Sequence, residues 1–479
     1  MIAAFDIGTT VIKGALFSEE GNFLKFASRI LVASDAGKTA CYEADTDRWK
    51  SAFAEITSEL LEGRSSDGLR AAVISGNGPT LVPVGRDGSF LEPVMTWMDR
   101  RGIVQAGKIK ELQDFYIDPT FYLPKALWIM DERPEIYERT EFFLSCPESM
   151  AFWLTGEALT ILPGERFEKY FWSDELLGGL GLDCRKFPDF RKPGCIAGKV
   201  SPKGASESGL PAGLRVVSAG PDFIVTLLGT AAVYPGRACD RSGTSEGINL
   251  CTKKYIEDPR LMGYGHVVEP YFNVSGIIST SGRALEWIKS RFGRSGEGFT
   301  DFLRDTAKVP AGADKLIFLP YLAGERAPHW DPSARGAFIG LGLNHGRDEM
   351  VRAVLESVGY AMRDVIDVMT ENGAQVDELR ITGGPSKSAL WNQIKADITG
   401  RKILVPESTE SELIGNLVLA LRALGDVDSI AEAADKILRI KTVFEPDTEK
   451  GKVYGEYYQL YKKSYLNLKD IFAQLNTIA

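Results

Sequence analysis

The chain has 479 residues, of which 44% are hydrophobic and 25% are charged, and its formal net charge is −9. This length exceeds that of one ordinary hydrophobic core, so we expect about two or three domains. The composition is that of a globular protein, and the charge is spread without a basic block, which argues against a nucleic-acid or anionic-membrane partner. The N-terminus lacks a basic signal segment and no apolar run approaches the roughly 18 residues of a membrane span, so we expect a cytoplasmic protein.

The first predicted elements are three short strands at residues 2–5, 11–17 and 23–32. Between the first two strands, the sequence predicts a turn that carries Asp6, Gly8, Thr9, Thr10 and Lys13. Such a turn exposes backbone N–H groups and hydroxyls that suit phosphate oxygens, and the lysine adds positive charge. Most turns of this kind are plain hairpin connections, so both interpretations stay open from this segment alone.

Helix and strand then alternate. The spacing of Trp49, Phe53, Ile56 and Leu60 predicts a helix that ends at Gly63. A buried strand is predicted at residues 71–75, and it opens into a loop at residues 76–80. Ligands of α/β sheets commonly bind at strand ends, so the loop is a candidate for substrate contacts through Asn77 and Gly78.

Asp222 stands at the head of an apolar run that reaches Gly229. A buried carboxylate without a partner is costly, so its presence there needs a reason. Capping of a helix N-terminus is one interpretation, since aspartate accepts hydrogen bonds from the first backbone N–H groups of a helix. A catalytic role is the other, and this segment alone leaves both open.

The second half of the chain faintly repeats the first. Residues Gly243, Thr244 and Ser245 follow Asp240 and precede an apolar run, which suggests two related α/β halves that each lend one turn to a shared phosphate. A helical stripe from Val351 to Met369 predicts core packing without chemistry. The predicted strand at 378–382 leads into Gly383 and Gly384 and then a helix, a geometry that allows a nucleotide to approach closely. An amphipathic helix is predicted over 454–468.

Several standard sites are excluded by sequence. Residues 36–39 resemble the end of a P-loop, but that motif requires glycine at position 32, where the chain has Val32. No G-x-G-x-x-G fingerprint follows a predicted strand, which disfavours a Rossmann dehydrogenase. The six cysteines form no C-x-x-C pair, and the three histidines lack metal-ligand spacing.

Two segments connect these pieces to a family. Residues 336–341 read Gly-Ala-Phe-Ile-Gly-Leu, and after seven more residues 349–356 read Glu-Met-Val-Arg-Ala-Val-Leu-Glu. The segment that begins at Gly324 reads Gly-Glu-Arg-Ala-Pro-His-Trp-Asp-Pro. The first pair fits the C-terminal signature of the FGGY carbohydrate kinases, and the chain resembles xylulokinase-type members of that family over nearly its whole length.

The resemblance implies a fold and an activity. The fold is α/β, with two related ribonuclease H-like (actin-like ATPase) domains that flank a central cleft. Residues 1–237 would form the sugar-binding domain with the catalytic aspartate, and residues 238–479 the nucleotide-binding domain with closing C-terminal helices. The implied reaction is ATP-dependent phosphorylation of a sugar hydroxyl, with a ketopentose as substrate and Mg²⁺ as the metal. Closure of the cleft would exclude water. Family members are frequently dimers, which leaves a homodimer open.

The resemblance also assigns residues. Asp222 would be the catalytic base, and Asp6 the carboxylate nearest the magnesium ion. The phosphates of ATP would contact Gly8, Thr9, Thr10, Lys13, Gly243, Thr244 and Ser245. The remaining nucleotide contacts would come from Gly282, Glu286, Gly383, Gly384 and Ser388. The sugar would contact Asp6, Asn77, Gly78, Trp97, Asp99, Arg100 and Asp222.

The chain departs from the family pattern in three places. Residues 77–80 read Asn-Gly-Pro-Thr where xylulokinases have Gln-Met-His-Gly, and the Asn-Gln-Arg-Glu-Thr of glycerol kinases is also absent. Pro385 replaces a usual third glycine. Lys125 and Trp128 fit the N-terminal family signature, whereas Thr120, Tyr122 and Ala126 do not.

Two alternatives to a ketopentose kinase stay open. One is a kinase for another polyol, an aldonate or a deoxysugar, similar to glycerol-, glucono- or ribulokinases. The other is a non-catalytic actin-like protein that binds ATP, and the retention of Asp222 argues against it.

Overall fold

The computed structural model describes residues 1–31, 41–113, 115, 117–164 and 166–478. The P-loop-like residues 36–39 and the end of the predicted third strand lie outside this range. None of the helices among the described residues combines the length and the apolar character needed to cross a membrane.

The chain forms two compact units. Unit 1 comprises Met1–Gly229, Gly265–Val268 and Ser411–Ile437, and unit 2 comprises Thr230–Tyr264, Glu269–Glu410 and Leu438–Ala479. This division differs from the predicted linear boundary after residue 237 at three places, one of which is the short segment Gly265–Val268 in unit 1. Residues 230–237 belong to unit 2, and the segment Ser411–Ile437 returns to unit 1.

The first part of the chain contains ten strands and eight helices among its described residues. The strands are β1 Ile2–Ile7, β2 Val11–Phe17, β3 Phe23–Ile30, β4 Ala71–Gly76, β5 Leu81–Gly85, β6 Thr140–Ser145, β7 Thr160–Ile161, β8 Phe190–Arg191, β9 Cys195–Lys199 and β10 Arg215–Pro221. The helices are α1 Thr46–Leu61, α2 Ile103–Leu112, α3 Tyr122–Glu132, α4 Pro134–Arg139, α5 Cys146–Thr155, α6 Asp174–Gly179, α7 Pro202–Ser208 and α8 Asp222–Gly229.

The remainder of the chain follows the same alternation. Its strands are β11 Arg237–Ser242, β12 Glu246–Thr252, β13 Met262–Gly265, β14 Phe272–Ile278, β15 Ile317–Leu319, β16 Ala337–Ile339, β17 Glu378–Thr382, β18 Lys402–Pro406 and β19 Ile440–Phe444. Its helices are α9 Gly282–Phe292, α10 Phe299–Phe302, α11 Arg347–Glu371, α12 Ala389–Thr399, α13 Ser411–Leu424, α14 Ile430–Ile437 and α15 Thr448–Leu475.

Unit 1 is built on a six-stranded sheet with the order β3-β2-β1-β4-β10-β9. Strands β1, β4 and β10 are parallel, while β2 and β3 form an antiparallel meander with β1. The predicted amphipathic helix is α1, which begins after the capping residue Asp45. Its Phe53 ring stacks on Phe5 of β1 with 4.0 Å between ring centroids. This contact covers one face of the central strand, all of whose residues are buried.

Unit 2 repeats this arrangement on a seven-stranded sheet with the order β13-β14-β12-β11-β17-β18-β19. Strands β14, β12 and β11 are antiparallel, and β11, β17 and β18 are parallel. Helix α11 buries the predicted stripe from Val351 to Met369. The agreement in strand order between the two sheets confirms that the halves are related, as the repeated Gly-Thr turn suggested.

The two turns are tighter than the sequence suggested. Strand β1 continues to Ile7, so Asp6 and Lys13 lie on paired strands and are register partners. The turn itself contains only residues 8–10. Likewise Asp240 lies inside β11, and the second turn contains only residues 243–245. The prediction that Asp6 belongs to the turn is wrong, because ladder hydrogen bonds extend the hairpin almost to its glycine, whereas the predicted second strand at residues 11–17, which contains Lys13, is confirmed.

The return of α13 to unit 1 follows from a close helix crossing. A Cβ atom on Gly415 would lie 1.9 Å from the carbonyl oxygen of Val225, and one on Gly229 would lie 1.8 Å from that of Ser411. The two glycines therefore allow the backbones of α8 and α13 to touch. The crossing seats α13 against β1 and β4, beside the end of the sheet that carries Asp6 and Asp222.

Candidate active site

Three predicted site segments of unit 1 meet at the carboxyl ends of parallel strands. Asp6 of β1 is level with Ser75 of β4, which is level with Gly220 of β10. Strand β10 ends at Pro221, and helix α8 begins directly at Asp222. Asp222 is therefore the first residue of the helix, a position where the helix dipole favours a negative charge. The edge where parallel strands end is the usual ligand site of an α/β sheet.

Asp6 is buried and lies in an acidic environment. Its Oδ1 accepts a hydrogen bond of 2.7 Å from the Ser75 hydroxyl. Burial raises the pKa of Asp6 to about 7, with further contributions from the nearby carboxylates of Glu412 and Asp222. The Lys13 ammonium lies 3.9 Å from Glu412 Oε2. Several carboxylates close together favour a bound cation, because they repel one another when ionised.

The first phosphate turn is connected to the predicted sugar side. The indole Nε1 of Trp97 donates to Thr9 Oγ1 at 2.9 Å. Gly8 donates its N–H to Val11 O at 3.1 Å, which closes the turn, and the Thr10 carbonyl accepts from Leu31 N. Thr9 and Trp97 are therefore held together, as a shared binding site for sugar and phosphate would require.

The loop at residues 77–80 is closed on itself. Asn77 Nδ2 donates to Ile7 O at 2.9 Å, and Asn77 Oδ1 accepts a hydrogen bond from Thr80. Lys125 is fully buried and donates to Pro79 O at 2.8 Å and to Thr96 O at 2.6 Å. Burial lowers the pKa of Lys125 to about 7. The Asn77 side chain thus shapes the loop, and its contact with sugar stays a prediction.

Asp99 and Arg100, two further residues predicted to contact the sugar, lie in different environments. Asp99 is fully buried, its Oδ2 accepts from Arg101 at 2.7 Å and from Tyr42 N at 2.9 Å, and its Oδ1 accepts from Arg101 N at 3.0 Å. These hydrogen bonds use both oxygens of the Asp99 carboxylate to hold Arg101 and the backbone at Tyr42. They leave no face of the carboxylate open to a sugar. Arg100 is half-exposed and lies 3.5 Å from Asp118.

Unit 2 brings its predicted nucleotide segments together. Gly282 N donates to Gly243 O at 2.9 Å and Ser281 N donates to Thr244 O at 3.1 Å, so the second turn packs on the start of α9. Gly383 has a φ of +89°, and a Cβ atom there would lie 1.9 Å from Ser242 O. Glycine is therefore required where β17 passes the phosphate turn.

The remaining nucleotide residues flank this junction. Gly384 opens a 3₁₀ turn, and Ser388 caps α12 by accepting from Trp391 N at 3.3 Å. Pro385 occupies the start of that turn, where a backbone N–H is not used in helical hydrogen bonding, so this departure from the family pattern fits the structure. Glu286 is exposed one turn beyond Gly282 on α9.

A buried ionic cluster lies beneath this junction. Lys395 of α12 is fully buried, and its Nζ lies 2.6 Å from Glu246 Oε1 and 3.1 Å from Asp240 Oδ2. Glu246 Oε2 also accepts hydrogen bonds from Ser242 and Ser281. Burial raises the pKa of Glu246, but the Lys395 ammonium and these hydrogen bonds bring it below its usual value. Burial and the Glu246 charge raise the pKa of Asp240, and the Lys395 ammonium opposes this shift.

Sequence reasoning missed several of these residues. Ser75 lies next to a segment that was singled out, but Glu412, Lys395 and Glu246 carry no local motif. The contacts of Glu412 and Lys395 join positions far apart in the chain. Glu246 directly follows the predicted turn, and an acidic residue at the start of an otherwise apolar strand was the one available signal.

Family models match most of the chain. The model of the N-terminal domain of the FGGY family of carbohydrate kinases matches residues 1–229, and that of the C-terminal domain matches residues 241–424. The chain belongs to the FGGY family of carbohydrate kinases. It is therefore an ATP-dependent carbohydrate kinase, as the resemblance implied.

Individual FGGY proteins align over nearly the full length. A xylulose kinase from Staphylococcus epidermidis is 28% identical over 494 residues, which cover 100% of this chain and 99% of that protein. A gluconokinase from Bacillus licheniformis is 29% identical over 459 residues, which cover 90% and 89% of the two chains. The structure of a ligand-bound xylulose kinase from Lactobacillus acidophilus has a TM-score of 0.89 at 24% identity and covers 99% of both chains. The predicted two-domain, actin-like α/β fold is confirmed.

We predict that Lys395→Met destabilises unit 2 by about 3–5 kcal/mol, because it leaves the Glu246 carboxylate buried without its cation. The double variant Lys395→Met/Glu246→Gln should recover much of this loss, since it removes both charges. Denaturant unfolding measures each value. The matched control is Lys402→Met, which breaks the exposed Lys402–Glu445 pair and should change stability little. Equal losses in the single and double variants would contradict the prediction.

We also predict that Gly383→Ala impairs ATP binding while Gly400→Ala does not. Both glycines have positive φ, but a Cβ atom on Gly400 meets nothing within 4 Å. Gly400 has the left-handed helical conformation (φ +65°, ψ +24°), which an alanine tolerates at modest cost, whereas Gly383 (φ +89°, ψ −176°) lies in a region essentially restricted to glycine. Only Gly383→Ala therefore combines strong backbone strain with displacement of Ser242 beside the second turn. We expect the KM for ATP to rise at least about tenfold in Gly383→Ala and to stay within about twofold in Gly400→Ala. A similar KM for ATP in the two variants would contradict the requirement for glycine at position 383.

Proposed function

We propose that this protein phosphorylates a hydroxyl group of a small ketose, with a ketopentose as the substrate and Asp222 as the catalytic base. One observation carries the proposal: Asp222 begins α8 at the end of β10, close enough to Asp6 that its charge contributes to the raised pKa of that residue. A carboxylate at this edge of the sheet lies where substrates of α/β proteins bind.

The proposed chemistry needs one base and accurate placement. Asp222 accepts the proton of the sugar hydroxyl while the hydroxyl oxygen forms a bond to the γ-phosphorus of ATP. The bond between that phosphorus and the β–γ bridging oxygen breaks, and ADP leaves with its electrons. The start of α8 supports this role, because the N-terminus of a helix stabilises the charged form of the base.

The phosphates would be held by the two hairpin turns. In unit 1 we assign this to Gly8, Thr9, Thr10 and Lys13, and in unit 2 to Gly243, Thr244 and Ser245. Gly282, Glu286, Gly383, Gly384 and Ser388 would bind the rest of the nucleotide. The hydrogen bonds from Ser281 and Gly282 to the second turn support this assignment, since they hold the segments in one place. The central cleft expected from the sequence stays a prediction.

Magnesium fits the residues around Asp6. Mg²⁺ is usually held by one or two carboxylates together with substrate phosphates, rather than by a full set of protein ligands. In the described part of the chain no group of three or more His, Cys, Asp or Glu residues forms a metal cluster. The crowded carboxylate of Asp6 suits a shared ion of this kind. When bound, the ion would neutralise charge on the phosphates, while Asp6 would position it.

The identity of the sugar is proposed from the relatives of this chain. The structure of the loop at residues 77–80 limits which residues can contact it. Full-length similarity to a xylulose kinase supports a ketopentose. The higher identity to a gluconokinase supports an aldonate as the second candidate. Since the Asn77 side chain is used inside the loop, the backbone at Gly78 and the side chains of Trp97 and Arg100 are the proposed sugar contacts.

The proposal is tested by sugar-stimulated ADP release in the presence of ATP and magnesium. We expect one compound from a panel of ketopentoses, ketohexoses, glycerol and gluconate to stimulate turnover of the parent enzyme. Stimulation by gluconate alone would select the aldonate. A panel without any stimulating compound would overturn the ketose assignment.

The role of the base is tested by Asp222→Asn, which keeps the shape of the side chain and removes its basicity. We expect kcat to fall by about 10²–10⁴-fold with ATP binding retained. The matched control is Asp174→Asn, because Asp174 also begins a helix but is exposed on α6. An Asp222→Asn enzyme with the parent kcat would return Asp222 to the role of a helix-terminal residue.

A further inference from the structure

Helix α13 carries a polar residue at a core position. Asn416 is fully buried, and the neighbouring residues Leu413, Leu417 and Ala420 of the same helix are buried and apolar. The helix packs against β1 and β4 in unit 1. Its buried face would ordinarily be apolar throughout, so the amide needs a specific explanation.

The amide connects α13 to Asp6 through one intermediate. Asn416 Nδ2 donates to Phe5 O at 2.9 Å and to Ser75 Oγ at 2.9 Å. Ser75 Oγ in turn lies 2.7 Å from Asp6 Oδ1 and donates to it. The Phe5 carbonyl can only accept, so it fixes which end of the amide carries the hydrogens. The amide then acts as a donor to Ser75, and the single hydroxyl hydrogen of Ser75 is directed to Asp6.

The amide is not explained by packing. Asn416 Oδ1 is buried and has no hydrogen-bond partner among the described residues. Leaving a buried carbonyl oxygen unsatisfied is unfavourable, whereas an apolar side chain of the same shape would avoid that loss. Stability alone would therefore favour leucine at this position. Asn416 instead donates two hydrogen bonds near the carboxyl end of β1, the strand that carries Asp6.

We propose that Asn416 is a positioning residue for phosphoryl transfer, which acts on Asp6 through the Ser75 hydroxyl. By fixing the direction of the Ser75 hydrogen, it fixes the rotation of the Asp6 carboxylate about its Cβ–Cγ bond. This inference rests on the proposed function, in which Asp6 would position the magnesium ion at the phosphates of ATP. It assigns a role in the reaction to α13, which is contributed by the C-terminal half of the chain and lies in unit 1.

A double-mutant cycle tests the proposal. The variants are Asn416→Leu, which keeps the side-chain shape without donors, Ser75→Ala, and the two together. We expect each single variant to lower kcat about tenfold with KM values within about threefold of the parent. The double variant should be no slower than the slower single variant, because both changes break the same connection. The melting temperature of Asn416→Leu should stay within about 3 °C of the parent or rise.

Asn273→Leu is the matched control. Asn273 is a buried asparagine of β14 in unit 2 that donates to Asn249 Oδ1 at 3.3 Å, and its own oxygen has no partner in the described part of the chain. Its kcat should stay within about twofold of the parent. If Asn416→Leu does not fold, Asn416→Ala carries the same expectation, since it introduces no additional atoms.

Three results would overturn the inference: a parental kcat in the Asn416 variants, a kcat that falls only in step with the melting temperature, or losses that multiply in the double variant. Failure of the proposed function has a different signature, since the parent enzyme itself would then show no sugar-stimulated ADP release.

Discussion

The ammonium group of Lys395 is enclosed by protein, and the groups that neutralise it lie on the two strands that enter and leave the second phosphate turn. The ammonium contacts Glu246 at 2.6 Å and Asp240 at 3.1 Å, and the Ser242 and Ser281 hydroxyls donate hydrogen bonds to the same glutamate. A buried charge is tolerated only where opposite charge and hydrogen bonds replace its hydration. Strands β11 and β12 and helices α9 and α12 therefore cannot separate without leaving a charge uncompensated. This one constraint holds in register the segments of unit 2 that are proposed to bind the nucleotide.

The buried carboxylate of unit 1, Asp6, is compensated less completely than the Lys395 ammonium of unit 2. Asp6 receives hydrogen bonding from the neutral hydroxyl of Ser75, which is itself held by Asn416, and it has Asp222 and Glu412 nearby. The negative charge is thus only partly compensated by the protein. In the proposed reaction the remaining compensation comes from the magnesium ion that accompanies ATP. The two related sheets therefore present different electrostatics at equivalent hairpins: one has a complete internal ion pair, and the other has a carboxylate that favours an external cation.

Local sequence patterns predicted much of this fold. The periodicity of Trp49, Phe53, Ile56 and Leu60 identified α1, and the long apolar stripe identified α11, because a buried helical face repeats every 3.6 residues. Predictions that depended on where a turn begins were less accurate, as the strand position of Asp6 shows. Tight turns have weak sequence signals, and ladder hydrogen bonds extend strands up to the glycine.

Residue roles that depend on the direction of a side chain also could not be predicted from the sequence. The position of Asn77 at a strand end and the family resemblance of Asp99 predicted that both contact the sugar; these contacts stay predictions, and the structure shows that both side chains are buried. The amide of Asn77 closes its own loop, and the carboxylate of Asp99 is used by Arg101 and the backbone of Tyr42. Burial and hydrogen bonding decide such directions, and both depend on residues that are distant in the chain.

The amino-acid sequence by itself determined the family, the two related α/β halves, the glycines of the two hairpin turns and the position of Asp222 at the start of a helix. These features are local, since each follows from residue types within a single strand, turn or helix. Only the tertiary structure decided that α13 returns to unit 1, that Asn416 and Glu412 lie beside Asp6, and that Lys395 neutralises Glu246. Each of these contacts joins segments far apart in the chain, and their formation depends on the close backbone crossing at Gly229 and Gly415 or on the compensation of a buried charge. No pattern within one segment encodes either condition.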